Sequence, residues 1–193
     1  MRGKLSKLWM GCVAVLSVAF GSMLAAQAAD DTAAWRALKK PGAIVLFRHA
    51  SAPGVGDPAG HRLDDCSTQR NLDEEGRAQA RRMGERFRTQ GVKVEAVLSS
   101  QWCRTRETAQ LAFPGLPKDA PAFNSFFGDR SNEAAQTAAA RKQLSDWRGP
   151  GLLVVVTHQV NMTALTGMPA SSGEGLVLHK QGRELAVVAT IAP

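Results

Sequence analysis

The apolar residues of this chain are concentrated in short runs, each followed by polar or glycine-rich sequence. Residues 43–47, 94–99 and 152–157 form the three clearest runs, and the first of them is bounded by Pro41 and Gly42. Short apolar runs of this kind are typical of strands that are buried on both faces of a parallel sheet. The pattern therefore predicts three buried strands.

Amphipathic segments with helix capping signals occupy the sequence between these strands. Alternation of strands and helices is typical of α/β proteins. We expect the helix that Asp73 caps to end at Gly91, where a residue without a side chain favours termination. The other predicted helices cover residues 31–40, 102–113, 132–147 and 161–165; residues 122–127 are predicted to be extended, and residues 175–179 and 184–191 to form an antiparallel pair at a sheet edge.

The first 28 residues have the features of a secretory signal. Basic residues occur at positions 2, 4 and 7, an apolar stretch covers residues 9–24, and a small-x-small motif covers residues 26–28. We therefore expect cleavage after Ala28, a single domain over residues 29–193, and a periplasmic or secreted location without a stable membrane anchor.

The charge balance favours small anionic ligands over nucleic acid. The formal net charge of the 193-residue chain is +7, and loss of the signal would remove three basic and no acidic residues, which reduces it to +4. No block of like charges of the kind that binds nucleic acid occurs. A surface of mixed charge accounts for most of these residues.

Two cysteines, Cys66 and Cys103, remain after the predicted cleavage site. An even number of cysteines in an exported chain favours a disulfide. The bridge would close a loop of 37 residues, which is worth about 3–4 kcal/mol in the chain-entropy treatment. Two buried free thiols are the alternative.

Polar side chains follow each of the three buried strands. Arg48 and His49 follow the first, Arg104 comes shortly after the second, and His158 follows the third. The carboxyl ends of neighbouring parallel strands meet at one edge of a sheet, where α/β proteins bind ligands. Guanidinium groups bind phosphate oxygens, and a neutral imidazole is a nucleophile for phosphorus. The alternative is that both histidines are hydrogen-bonded core residues.

Four segments carry a resemblance to a known family. They are Leu46-Phe47-Arg48-His49-Ala50, residues 70–80, residues 98–109 and Val156-Thr157-His158. In this order they resemble the histidine phosphatase superfamily, which has the phosphoglycerate-mutase-like fold. The resemblance implies a three-layer α/β/α sandwich with a mostly parallel central sheet and no metal or other cofactor. It also implies that His49 is the phosphorylated nucleophile and that Arg48, Arg104 and His158 complete the phosphate pocket.

The sequence departs from the family pattern at two positions. The glycines that usually follow the two histidines are Ala50 and Gln159 here, and we expect the backbone N–H groups of both to remain available. The family's general acid is a carboxylate located after Arg104. Asp129 is the first candidate and Glu133 the second, although either carboxylate equally fits a surface or capping role.

These features predict a metal-independent phosphatase that hydrolyses a phosphomonoester through a phosphohistidine intermediate. The substrate would be a small phosphorylated compound, and by analogy with small exported relatives a cell-envelope sugar phosphate is a plausible class. The alternative is a protein that binds a phosphorylated ligand in the same pocket without turning it over. Arg70, which precedes the Asp73 helix, fits a loop salt bridge as well as a phosphate contact, and His61 and His179 are expected to be structural or surface residues.

Overall fold

Strands and helices alternate along residues 31–182 and 184–192, the part of the chain that the computed structural model describes. Within it, residues 31–38 are helical (α1), and short 3-10 turns cover Cys66–Thr68 and Pro121–Phe123. The other helices are α2 (Glu74–Thr89), α3 (Cys103–Ala112), α4 (Glu133–Asp146) and α5 (Gln159–Thr166); the strands are β1 (Ile44–Arg48), β2 (Val94–Ser99), β3 (Pro117–Asp119), β4 (Leu152–Thr157), β5 (Gly175–Gln181) and β6 (Glu184–Ile191).

The six strands form one mixed sheet in the order β3-β2-β4-β1-β5-β6. The β4 strand lies in the middle and pairs in parallel with both β1 and β2, and β3 pairs in parallel with β2. The β5 and β6 strands are antiparallel and complete one side of the sheet. The predicted sheet, mostly parallel with an antiparallel edge, is confirmed.

Each face of the sheet is covered by helices because successive side chains of a strand point to opposite faces. Val45 and Phe47 of β1 pack in one apolar cluster with residues of α1, α2 and α3. Ile44 and Leu46 of the same strand pack in a second cluster with residues of α4 and α5. The result is a three-layer α/β/α sandwich, as predicted.

Close approach of α2 to the segment after β1 depends on Gly76. A Cβ atom at this position would lie 2.0 Å from the carbonyl oxygen of Ser51, so any side chain would displace one of the two segments. Asp73 caps the same helix by accepting a hydrogen bond from the backbone N–H of Gly76 at 2.7 Å, as the sequence predicts. The beginning of α2 is therefore fixed against the end of β1.

Two parts of the sequence prediction are wrong. Residues 122–127 contain no strand; the extended piece lies earlier in the chain, as β3. With only three residues, β3 is too short for alternation to be visible. The predicted helix over residues 161–165 is longer, because α5 begins at Gln159, immediately after His158, and is ended by Gly167 in the left-handed conformation (φ 75°).

The disulfide between Cys66 and Cys103 is confirmed. It joins the Cys66–Thr68 turn to the first residue of α3, and the two Cα atoms are 5.7 Å apart. The predicted signal peptide lies outside the described residues. Within those residues, no helix combines the length and apolar character needed to cross a membrane.

We expect loss of this disulfide to destabilise the protein by about 3–4 kcal/mol, because the unfolded chain regains the freedom of a closed 37-residue loop. The double variant Cys66→Ser/Cys103→Ser and the oxidised wild type would be compared by urea unfolding, with and without reductant. Reductant should lower the wild-type midpoint and leave the variant unchanged. Equal midpoints for oxidised wild type and variant would contradict this prediction.

Candidate active site

The carboxyl ends of β1 and β4 bring two histidines side by side. Arg48 is paired with Thr157 in the parallel ladder, so the residue after each strand, His49 or His158, lies at the same edge of the sheet. The backbone N–H of His49 donates to the carbonyl of Thr157 at 3.0 Å, and the imidazole centroids are 5.5 Å apart. Both side chains are buried.

The hydrogen bond of His49 fixes which ring nitrogen is protonated. Its Nδ1 lies 2.7 Å from the carbonyl oxygen of Ala50, and since a carbonyl only accepts, Nδ1 carries the proton. The lone pair is then on Nε2. The pKa of His49 is lowered to about 3, mainly by burial. The hydrogen bond to Ala50 opposes this shift, and the positive charges of Arg104, Arg48 and Arg70 contribute to it. The imidazole is therefore neutral at physiological pH.

His158 is held by a chain of polar side chains. Arg104 Nη2 lies 3.4 Å from His158 Nδ1, and because a guanidinium only donates, Nδ1 accepts. The Nε2–H group then donates to Ser100 Oγ at 2.8 Å, and the Ser100 hydroxyl donates to Asn124 at 3.3 Å. The pKa of His158 lies well below its usual range. Burial is the largest cause, and electrostatic repulsion from the neighbouring His49 and Arg104 lowers the pKa further.

Arg104 forms a buried ion pair with Asp57. Its two Nη atoms lie 2.7 and 3.1 Å from the two carboxylate oxygens, and both side chains are almost completely buried. Asp57 also accepts from the indole N–H of Trp102 at 3.0 Å and from the backbone N–H of Arg70 at 3.1 Å. Burial raises the pKa of the Asp57 carboxyl, but the hydrogen bonds and charge of Arg104 outweigh it and the pKa lies below its ordinary value.

A count of hydrogens shows how completely Arg104 is engaged. Besides its two bonds to Asp57, Nη1 donates to the carbonyl of Arg70 at 3.3 Å and Nη2 donates to His158. All four Nη hydrogens therefore have acceptors. The Nε atom is buried and has no hydrogen-bond partner among the described residues.

Arg48 and Arg70 contribute further positive charge to the site. Arg48 Nη1 donates to the carbonyl of Ala170 at 3.0 Å. Arg70 donates to the carbonyls of Ala52 and Gly56, which lie in the loop after β1. Neither forms an ion pair within the described ranges. Burial and the repulsion of Arg104 lower the pKa of both guanidinium groups, but arginine remains charged at working pH.

These groups form the base of a cavity of about 570 Å³. Residues of the loop after β1, of residues 125–133 and of α5 form its walls and mouth. The polar and charged residues that line it include Arg48, His49, Asp57, His61, Arg70, Arg104, Arg130, Glu133, His158 and Gln159. The cavity thus has a cationic base containing two neutral imidazoles.

Comparison with protein families gives a match over part of the chain. The model of the histidine phosphatase superfamily (branch 1) matches residues 44–122, which hold β1, β2, α3 and the first three of the four predicted pocket residues. Over these residues the chain is similar to the histidine phosphatase superfamily. A search of curated proteins found no match.

Solved structures with the same fold include several phosphatases. The protein histidine phosphatase SixA complexed with tungstate is 18% identical, with a TM-score of 0.55 over 78% of this chain and 97% of that one. The Entamoeba histolytica phosphoserine phosphatase in complex with 3-phosphoglyceric acid is 12% identical (TM-score 0.58; 78% and 97%). The mycobacterial glucosyl-3-phosphoglycerate phosphatase complexed with VO3 is 15% identical (TM-score 0.56; 76% and 97%). At these identities the likeness concerns the fold.

The structure brings together four of the five residues that the sequence nominates for this site: Arg48, His49, Arg104 and His158. It does not place Asp129 with them. The Asp129 side chain is exposed, accepts from the backbone N–H of Ser131 at 2.9 Å and does not line the cavity. Of the two roles left open for Asp129, the structure shows the capping role, because its carboxylate caps a local turn.

The second carboxylate candidate, Glu133, lines the cavity but is engaged. Its two oxygens accept hydrogen bonds from Arg130 at 2.6 and 2.8 Å.

The expectation for the backbone after His49 is also corrected: the N–H of Ala50 is not available, since it donates to the hydroxyl of Thr108 at 3.0 Å. Gln159 is the first residue of α5 and lines the cavity.

Several site residues were missed or left open at the level of sequence. Asp57 lies in a loop without periodicity, and nothing in the sequence relates it to Arg104. Ser100 lies in the family-like segment over residues 98–109, which was the available signal. His61 was expected to be structural or a surface residue, and it lines the cavity. Of the two roles left open for Arg70, the loop salt bridge does not form, and its side chain lines the cavity.

We expect nitrogen-15 NMR of histidine-labelled protein to show His49 as a neutral imidazole with the proton on Nδ1. Because its pKa is lowered to about 3, this signal should not titrate as the pH falls from 7 to about 5, through the ordinary histidine range. The spectrum of a His49→Gln variant would assign it. A His49 signal that titrates near pH 6.5, or that carries its proton on Nε2, would contradict the geometry described above.

Proposed function

We propose that this protein is a metal-independent phosphatase that hydrolyses a phosphomonoester through a phosphohistidine formed on His49. One observation carries the proposal: a buried, neutral imidazole has its Nε2 lone pair free at the base of a cavity where Arg48, Arg70 and Arg104 meet. Asp57 offsets the charge of one arginine. The remaining charge suits a phosphoryl dianion.

The geometry supports a two-step reaction. His49 Nε2 attacks phosphorus opposite the leaving oxygen, so that a P–N bond forms as the P–O bond breaks and the leaving oxygen takes up a proton. Water then attacks the phosphohistidine, the P–N bond breaks, and inorganic phosphate leaves. Arg48, Arg104 and His158 hold the phosphoryl oxygens as negative charge develops on them.

His158 joins this pocket through a change of tautomer. When Arg104 turns from His158 Nδ1 to a phosphoryl oxygen, the imidazole proton moves to Nδ1, from which it can be donated to the substrate. The Ser100 hydroxyl, which accepts from Nε2 in the structure, reverses and donates to it. A serine hydroxyl rotates freely enough to serve both arrangements.

The substrate proposal is a small phosphorylated compound, with a cell-envelope sugar phosphate as the favoured class. The family match over residues 44–122 and the size of the cavity support the first part. The sugar class rests on analogy and on the predicted export of the protein, which the signal-like N terminus and the disulfide support.

N-terminal sequencing of protein recovered from the periplasm should find Ala29 first; an intact Met1 in a cytosolic fraction would contradict export.

The alternative is a protein that binds a phosphorylated ligand without turnover. One observation favours it: both carboxylates that line the cavity, Asp57 and Glu133, are paired with arginines. Neither is therefore free to protonate a leaving group. The same cationic base would serve binding alone.

We expect the wild type to release phosphate from 4-nitrophenyl phosphate and to form a phosphoenzyme that is stable to base and labile to acid. His49→Ala should abolish both, a loss of about 1,000-fold or more, because no other nucleophile replaces the imidazole. His179→Gln is the matched control, since His179 bonds to the Ala37 carbonyl away from the cavity. Vanadate binding by the wild type without turnover would favour the alternative.

Asp57 should compete with the phosphoryl group for Arg104. We expect Asp57→Asn to strengthen inhibition by orthovanadate by about tenfold or more, because the negative charge of the Asp57 carboxylate repels an anion that binds Arg104. Asp119→Asn is the control; it removes the partner of Arg106 in an exposed ion pair outside the cavity. Weaker inhibition of Asp57→Asn would instead show that Asp57 holds Arg104 in the position that binds the anion.

A further inference from the structure

Among the titratable side chains that line the cavity, His61 resembles His49 in having one ring nitrogen bonded to a backbone carbonyl and the other left without a described partner. Asp57 and Glu133 are held by Arg104 and Arg130, and His158 is held by Ser100. His61 forms no ion pair within the described residues. Its Nδ1 lies 3.2 Å from the carbonyl of Pro58, so that nitrogen donates and Nε2 is the atom left for other partners.

His61 lines the same cavity as the buried His49, but on its exposed side. In-line attack places the leaving group on the side of phosphorus opposite His49 Nε2, so the group that protonates it must stand away from that imidazole. His61 is exposed and ends a short turn in the loop after β1, where its backbone N–H donates to Pro58. Its ring centroid is 5.9 Å from that of Trp102, which is in turn 5.5 Å from His158. His61 therefore stands on the Trp102 side of the cavity, outward from the two buried imidazoles.

Trp102 and Asp57 support this wall. The indole N–H of Trp102 donates to Asp57, and Asp57 also accepts from the backbone N–H of Arg70. The His61 ring is hydrogen-bonded to the carbonyl of Pro58, the next residue after Asp57. The segment that carries His61 therefore also contains Asp57, the partner of Arg104 in the buried ion pair.

We propose that His61 is the group that protonates the leaving oxygen, a role that the sequence suggested for Asp129 or Glu133. The inference rests on the proposed phosphatase function. In the first step the His61 imidazolium transfers its Nε2 proton to the bridging oxygen as the P–O bond breaks. In the second step the neutral imidazole takes a proton from the water that attacks the phosphohistidine, which restores the imidazolium. General acid–base catalysis of this kind typically contributes 10²–10⁴-fold.

The test compares two phosphate esters that differ in their need for a proton. The leaving group of 2,4-dinitrophenyl phosphate departs as a stable anion, whereas that of benzyl phosphate must be protonated. For His61→Asn we expect kcat/KM to fall at least about 100-fold with benzyl phosphate and less than about threefold with the dinitrophenyl ester. The ratio kcat/KM is used because it reports the steps through departure of the leaving group.

Two further variants and a rescue experiment separate this role from a structural one. Imidazole added to His61→Ala should restore turnover of benzyl phosphate and leave that of the dinitrophenyl ester nearly unchanged. Asp129→Asn and Glu133→Gln are measured with the same pair of esters. A loss selective for benzyl phosphate in either of these, and not in His61→Asn, would overturn the proposal.

The remaining outcomes distinguish this inference from the proposed function. If His61→Asn loses activity equally with both esters, or with neither, His61 is not the acid, while wild-type turnover and the phosphohistidine leave the phosphatase proposal in place. If the wild type turns over neither ester, both proposals fall. Thermal unfolding of each variant shows whether a loss reflects misfolding.

Discussion

The site depends on bringing like charges together at one end of the sheet. Arg48, Arg70 and Arg104 converge on a cavity with two imidazoles, and repulsion among these groups would be costly if the imidazoles were also protonated. Burial and the arginines together lower the pKa of both histidines, so neither adds a positive charge. The same effect that limits the repulsion leaves a lone pair on His49.

The ion pair between Asp57 and Arg104 is the second part of this balance. Removing one partner of a buried pair leaves an uncompensated charge, which typically costs 3–5 kcal/mol. Asp57 thus stabilises the folded chain by offsetting Arg104, and for the same reason it competes with any anion that enters the cavity. The Asp57 carboxylate therefore favours the folded state but weakens the binding of an anion.

The backbone around the cavity is fixed from several directions. The β4 strand lies between β1 and β2 and is parallel to both, so the residues that follow these three strands meet at one edge of the sheet. Gly76 lets α2 approach the segment after β1, and the disulfide ties the loop before Arg70 to the first residue of α3, next to Arg104. The loop that carries Asp57 and His61 is held mainly by hydrogen bonds from Arg70 and Arg104 to its carbonyl and carboxylate oxygens.

Hydrophobic periodicity by itself determined the three central strands, the helices between them and the residues delivered at the strand ends. These are local properties: a buried strand must be apolar, and the residue after it is adjacent in the chain. Only the tertiary structure decided which carboxylates reach the cavity. Asp57 and His61 lie in a loop without periodicity, whereas Asp129, which the family pattern favoured, caps a turn of its own. Such placements follow from packing between segments distant in sequence, and no local pattern encodes them.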